Sequence, residues 1–129
     1  MTHPGDNRIL IVHHRRLDRW LLPGGHIEPG DREIQDTARR EILEETGVVV
    51  ADRAVRLISL DVHGIPSKGR EPFHLHHDLV FAFQSIGEDV RLSSESRAVA
   101  WCGPGEFDRY ALPDNVRRAY IRLGGRDVC

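Results

Sequence analysis

Arg40-Glu41-Ile42-Leu43-Glu44-Glu45 places three carboxylates and a guanidinium in six consecutive residues. Glutamates at i, i+3 and i+4 share one side of an α-helix. Clustered carboxylates repel one another and resist burial unless something compensates. Two compensations are available: Arg40 can pair with Glu44 at i+4, and a divalent cation can neutralise the rest. Hard oxygen ligands suit Mg²⁺ or Mn²⁺ rather than Zn²⁺. The plain alternative is a solvated charged face, because acid-rich surface helices are common.

A second group is imidazole-rich. Of eight histidines, four lie between residues 63 and 77. His74, His76 and Asp78 share one face of a strand by its period of two. Pairing with the preceding strand across a 64–72 loop would bring His63 near His74, and His26 follows a double glycine. These residues can contact substrate or hold a second metal, although strand spacing alone is a weak ligand signal. Separately solvated histidines on a polar sheet face are the simpler reading of a metal-like pattern. Arg15, Arg16 and Arg19 read as a solvated turn. Trp20 and Trp101 could stack on a base, but strand-adjacent tryptophans more often belong to a core.

The elements that must position these groups follow from periodicity and chain breakers. Residues 9–14 and 18–22 read as strands. Pro23-Gly24-Gly25 and Glu28-Pro29-Gly30 break the chain. Asp31 is suited to cap a helix over residues 32–46, with Glu33 and Asp36 at its positive end and Gly47 as its stop. At about 100° per residue, Ile34, Ala38 and Ile42 form an apolar stripe that also contains Glu41 and Glu45. Leu43 points the opposite way, which predicts apolar neighbours on two sides. Residues 48–50 and 54–62 read as β structure, as do 74–83 and 98–101. A closing helix over 115–123 has Val116, Ala119, Tyr120 and Leu123 on one face.

The loop and helix together resemble the Nudix hydrolase family, and within it a bacterial subgroup with a Gly-Gly-His loop. The family pattern is Gly, five residues, Glu, seven residues, then Arg-Glu-aliphatic-x-Glu-Glu-x-Gly-aliphatic. Here Gly25 is followed by five residues and Asp31, and the pattern resumes at Arg40 and runs to Val48. Two features depart from it. The first acid is Asp31 rather than Glu, with eight residues before Arg40, and Glu33 is its alternative occupant. Family members usually have a strand before the one at 9–13, where only eight residues precede it. Either the start is truncated, or a partner subunit in a homodimer covers the sheet edge.

The resemblance implies an α/β/α sandwich around a mixed β-sheet, with the glutamate helix on one side and the closing helix on the other. It implies Mg²⁺ or Mn²⁺ held by Glu41, Glu44, Glu45 and a carbonyl of Gly24 or Gly25, with Arg40 orienting the glutamates. The implied reaction is hydrolysis of a diphosphate bond in a nucleoside diphosphate linked to another group: a nucleoside triphosphate, oxidised or not, a nucleotide sugar, a dinucleotide or an ADP-ribose-like compound. Glu44 or Glu45 could activate water. Some family members use a glutamate outside the box, for which Glu95 comes first and Glu71 second. His26, His63, His74, His76 and Asp78 are the candidate substrate contacts. Two other readings use the same fold. A non-catalytic nucleotide sensor would have lost a box carboxylate, and none is lost. An isoprenoid diphosphate isomerase would need an active-site cysteine beside histidine-bound metal.

Composition sets outer bounds. The chain has 129 residues, 40% hydrophobic and 29% charged, which fits one globular domain over residues 1–129. A net charge of −2 does not favour nucleic acid as the partner. No apolar run approaches a membrane span or a signal-peptide core. Cys102 and Cys129 are the two cysteines, the second at the chain end, so reduced cysteines and a cytoplasmic location are expected.

Overall fold

A computed structural model describes residues 1–51 and 55–124. Ala54, where a strand is expected to start, and Cys129 lie outside these residues. Strand β1 (Ile9–His14) forms a hairpin with β2 (Arg19–Leu21), in a register that sets Val12 opposite Leu21. Strand β5 (Ser96–Cys102) takes the other edge of β1, with Ile9 opposite Cys102. Strands β3 (Arg56–Ile65) and β4 (His74–Ala82) form a separate antiparallel ribbon.

The first residues link the two sheets. Thr2 bridges antiparallel to Ile9 and parallel to Gln84. Its N–H donates to the Phe83 carbonyl at 2.8 Å, and its own carbonyl accepts from Ser85 N–H at 3.0 Å. The pairing is therefore mixed, as expected. Residues 1–3 form no strand of their own; Thr2 makes isolated bridges to Ile9 at the start of β1 and to Gln84 just beyond β4.

Burial explains the layering. β1 is buried continuously from Ile9 to Val12, as a strand covered on both faces must be. Ile9 and Ile11 join Cys102, Phe107, Val116 and Tyr120 in one core. Leu10 points the other way, into a second core with Met1, Ile42, Val48 and Phe83. Helix α2 (Asp114–Arg122) supplies the first core and α1 (Ile34–Thr46) the second, which gives helix, sheet and helix in three layers. Trp20 and Trp101 pack against these cores, one against each.

Several local expectations change. Helix α1 begins at Ile34, with Glu33 rather than Asp31 as its N-cap, because the carboxylate of Asp31 is taken up by other partners. Glu33 N–H donates to the Asp36 carboxylate at 3.1 Å. Gly47 ends the helix at φ 67°, a left-handed turn suited to glycine, and its N–H donates to Leu43 O at 2.9 Å. Ile34 and Leu43 are exposed, so α1 buries one side only, around Ile42, Glu45 and Thr46. Residues 48–50 form no strand. Val50 makes a single bridge to Ser85, since the chain has only just left the helix cap and touches the extended segment at 84–86 briefly. β3 runs through Gly64 to Ile65, which moves the hairpin register: His63 faces His76, and His74 faces Ile65.

Candidate active site

The loop from Gly24 to Asp31 is tied to α1 through one guanidinium. Arg40 donates from Nε and Nη2 to Asp31 at 3.3 and 3.2 Å. The same side chain donates to Glu41 at 3.0 Å, to Glu44 at 3.3 Å and to the His26 carbonyl at 3.0 Å. Asp31 also accepts from Glu28 N–H at 2.9 Å and from the Thr37 hydroxyl at 2.7 Å. These bonds, Arg40 first, hold its carboxyl well below the usual carboxylate range, and Asp31 in turn raises Arg40 above its already high value. Asp31, not Glu33, is therefore the acid tied to the arginine. Glu33 instead accepts from the exposed Gln35 amide at 2.6 Å. With one residue more than the family spacing between them, Asp31 and Arg40 still meet.

Glu45 is the anomaly of the helix. It is only 5% exposed, and its Oε2 is buried without a hydrogen-bond partner. Burial, with Glu41, Glu95 and Glu44 adding like charge, pushes its pKa up to about 7, against an opposing hydrogen bond from Gly24 N–H. Glu44 is more exposed and lines a small cleft with Glu45, Ser93, Ser94 and Glu95. A Cβ added at Gly25 would fall inside contact distance of the Glu41 carboxylate, which would have to shift. An unpartnered buried carboxylate oxygen and a glycine cradle around a second carboxylate fit a cation-binding role. As placed, no three His, Cys, Asp or Glu side chains among the described residues stand close enough to hold an ion.

Glu95 shares the cleft with the helix glutamates, whereas Glu71 sits in the hairpin loop, where its backbone pairs with that of Lys68. Ser93 and Ser94 also line the cleft, and nothing in their spacing announces them. Thr37, buried and bonded to Asp31, is a second residue that sequence reasoning passes over. The candidate substrate contacts gather as a separate cluster centred on His76. Ring centroids of His74, His63 and His26 lie 5.0, 5.5 and 5.8 Å from it. Asp78 stands 3.5 Å from His63 Nδ1. Arg15, Arg16 and Arg19 are exposed in and beside the β1–β2 turn. Trp20 stacks edge-on to Tyr110 at 4.8 Å, and Trp101 donates to the Glu88 carbonyl, so both indoles are engaged by the fold. Cys102 is a buried free thiol in the α2-side core, its pKa pushed up to about 11 mainly by burial, and it does not line the glutamate cleft.

A three-layer fold with an arginine-clamped glutamate helix behind a glycine loop defines a class, and comparison with known proteins agrees. A NUDIX domain profile matches residues 2–123. The putative 8-oxo-dGTP diphosphatase of Bacillus subtilis is 30% identical over 94% of this chain and 75% of its own. The nucleoside triphosphatase NudI of Salmonella arizonae is 33% identical over 83% of this chain and 77% of its own. Among solved structures, a NUDIX-family hydrolase from Clostridium perfringens superposes with a TM-score of 0.68 at 17% identity, covering 91% of this chain and 88% of that one. The NUDIX domain of Shewanella oneidensis NrtR, complexed with ADP ribose, superposes with a TM-score of 0.66 at 20% identity, covering 90% and 77%. The chain belongs to the Nudix hydrolase family. Among the described residues, no helix is long and apolar enough to cross a membrane.

Proposed function

We propose that this chain is a divalent-metal-dependent pyrophosphohydrolase acting on a nucleoside diphosphate linked to another group, with nucleoside triphosphates, oxidised or not, as the first class to test. The observation that carries the reading is the buried, unpartnered carboxylate oxygen of Glu45 at a cleft shared with Glu44 and Glu95. The curated relatives, a diphosphatase and a nucleoside triphosphatase, support the substrate class.

Glu41, Glu44 and Glu45, with a carbonyl of Gly24 or Gly25, are the groups to hold Mg²⁺ or Mn²⁺. When bound, such an ion neutralises diphosphate charge and acidifies water. Arg40 keeps Glu41 and Glu44 oriented while it ties the glycine loop to the helix. Glu95 faces the same cleft and is the candidate to accept a proton from water. His26, His63, His74, His76 and Asp78 are proposed to meet the part of the substrate beyond the diphosphate.

The test is a panel of nucleoside triphosphates, nucleotide sugars, dinucleotides and ADP-ribose, incubated with Mg²⁺ or Mn²⁺ and assayed for phosphate, diphosphate or nucleoside monophosphate. At least one substrate should turn over, and Glu45→Gln should lower its kcat by roughly 10²-fold or more. Full turnover in that variant would remove the assigned role.

A further inference from the structure

The β3–β4 ribbon turns its apolar face to solvent and its polar face to the body of the protein. Residues opposite each other on an antiparallel pair share a face, and successive residues alternate between faces. Ser59, Asp61, His63, His76 and Asp78 therefore lie on one face. That face looks inward: Ser59 is buried and accepts from Arg122 of α2 at 3.0 Å, and the His76 ring meets His26 of the glycine loop. The other face carries Leu57, Leu60 and Val62 from β3, opposite Phe81, Leu79 and His77, and Leu75 opposite Gly64. The bulge between Leu57 and Ser59 keeps Leu57 and Leu60 on the same side although they are three residues apart. Phe73, just before β4, lays its ring over Gly64, where an added Cβ would come within 2.8 Å of it.

The strip starts at Phe81, which packs on the core beneath α1, and runs outward from it. Leu57, Leu60, Val62, Phe73 and Leu75 are between 48% and 63% exposed. No Asp, Glu, Lys or Arg stands on this face from Leu57 to Gly64 or from Leu75 to Phe81. Five half-exposed side chains of this size present on the order of 500 Å² of apolar surface, the upper range of what a monomer leaves open. A stable dimer buries about 800 Å² on each partner, and about 65% of a homodimer interface is apolar. The strip supplies that apolar share unaided. An interface with a transient partner is more polar, whereas an uncharged strip meets its own copy without like-charge repulsion. We propose that this face of the ribbon is a homodimer interface, with the same strip of a second copy packed on it about a two-fold axis. The second copy then braces from behind the ribbon whose inner face carries His63, His74 and His76. The proposal does not depend on the hydrolytic reading, since it uses no residue of the glutamate cleft.

The test is sedimentation velocity on the tag-free full chain across a dilution series. Wild type should be a dimer at roughly 10 µM chain, tenfold above a micromolar dissociation constant. Leu60→Glu and Leu75→Lys should each weaken the dimer by at least about 10-fold. Both side chains are exposed in the single chain, so circular dichroism should show the fold intact. Ile34→Glu, at an exposed apolar position on α1, should leave the dimer unchanged. In the wild-type chain, backbone amides of β3 and β4 should exchange hydrogen more slowly as concentration rises, a readout independent of how the variants fold. A wild-type monomer throughout the series would overturn the proposal and leave the strip to a different partner. A dimer that survives both ribbon variants, one that Ile34→Glu dissolves, or amide exchange in the ribbon that ignores concentration would overturn it as well.

Discussion

At the scale of residues, Asp31 and Glu45 are carboxylates with opposite environments. Asp31 is surrounded by donors and lies well below its ordinary pKa. Its contribution to stability is therefore present above the unfolded value near 4 and is lost as pH falls through the lower folded value. Asp31→Asn should lower the melting temperature at neutral pH. The gap from wild type should close on acidification below about pH 4, followed by thermal unfolding across a pH series. A constant gap at all pH values would mean that the Arg40 clamp is not its source. Glu45 is the reverse case: burial penalises its charge, so metal-free stability should fall as pH rises from the ordinary glutamate range toward about 7. In chelator-stripped protein at pH above that value, Glu45→Gln should raise the unfolding midpoint, although the same change lowers kcat in the metal-loaded enzyme. A variant no more stable than wild type would show that the buried charge is already compensated.

At the scale of elements, the glycine loop and α1 act as one unit joined by Arg40. Gly25→Ala would drive a methyl into the Glu41 carboxylate and displace it. The fold should survive, because the loop is exposed, while kcat falls by an expected 10²-fold or so. Circular dichroism and steady-state kinetics on the same sample separate the two effects. Ile42→Ala should instead cost about 2–4 kcal/mol in urea unfolding, since Ile42 is 4% exposed in the core beneath α1. Much of this unit was legible from the sequence. Glutamate spacing, Arg40 and the Gly47 stop depend on local helical geometry, which composition and periodicity capture. Asp31 does not take the cap position expected of it, because its carboxylate bonds Thr37 and Arg40, six and nine residues away, and Glu33 caps the helix instead. Hairpin register was missed by two residues, since β3 runs on through Gly64 to Ile65 before the turn. The place of Glu95 beside Glu45 was an expectation from family resemblance, and Ser93 and Ser94 had no local signal because a long-range sheet contact brings them there.

At the scale of the whole molecule, two cores on either face of β1 fix α1 and α2 against the sheet, and the glutamate cleft opens at the edge of the α1 layer. Because the cleft holds charge that folding alone leaves uncompensated, a cation bound only by the folded chain must stabilise all of it. Saturating Mg²⁺, at about 100 times its dissociation constant, should add roughly 2.7 kcal/mol. Scanning calorimetry should show this as a rise in melting temperature that Glu45→Gln lacks. The central claim is that the inward-facing glutamates exist to bind a divalent ion, and the most direct measurement is Mn²⁺ binding to the stripped chain by electron paramagnetic resonance. Wild type should bind Mn²⁺ below millimolar concentration, and Glu41→Gln and Glu45→Gln should each weaken it by at least about 10-fold. Equal binding in all three chains, or none in wild type, would contradict the account.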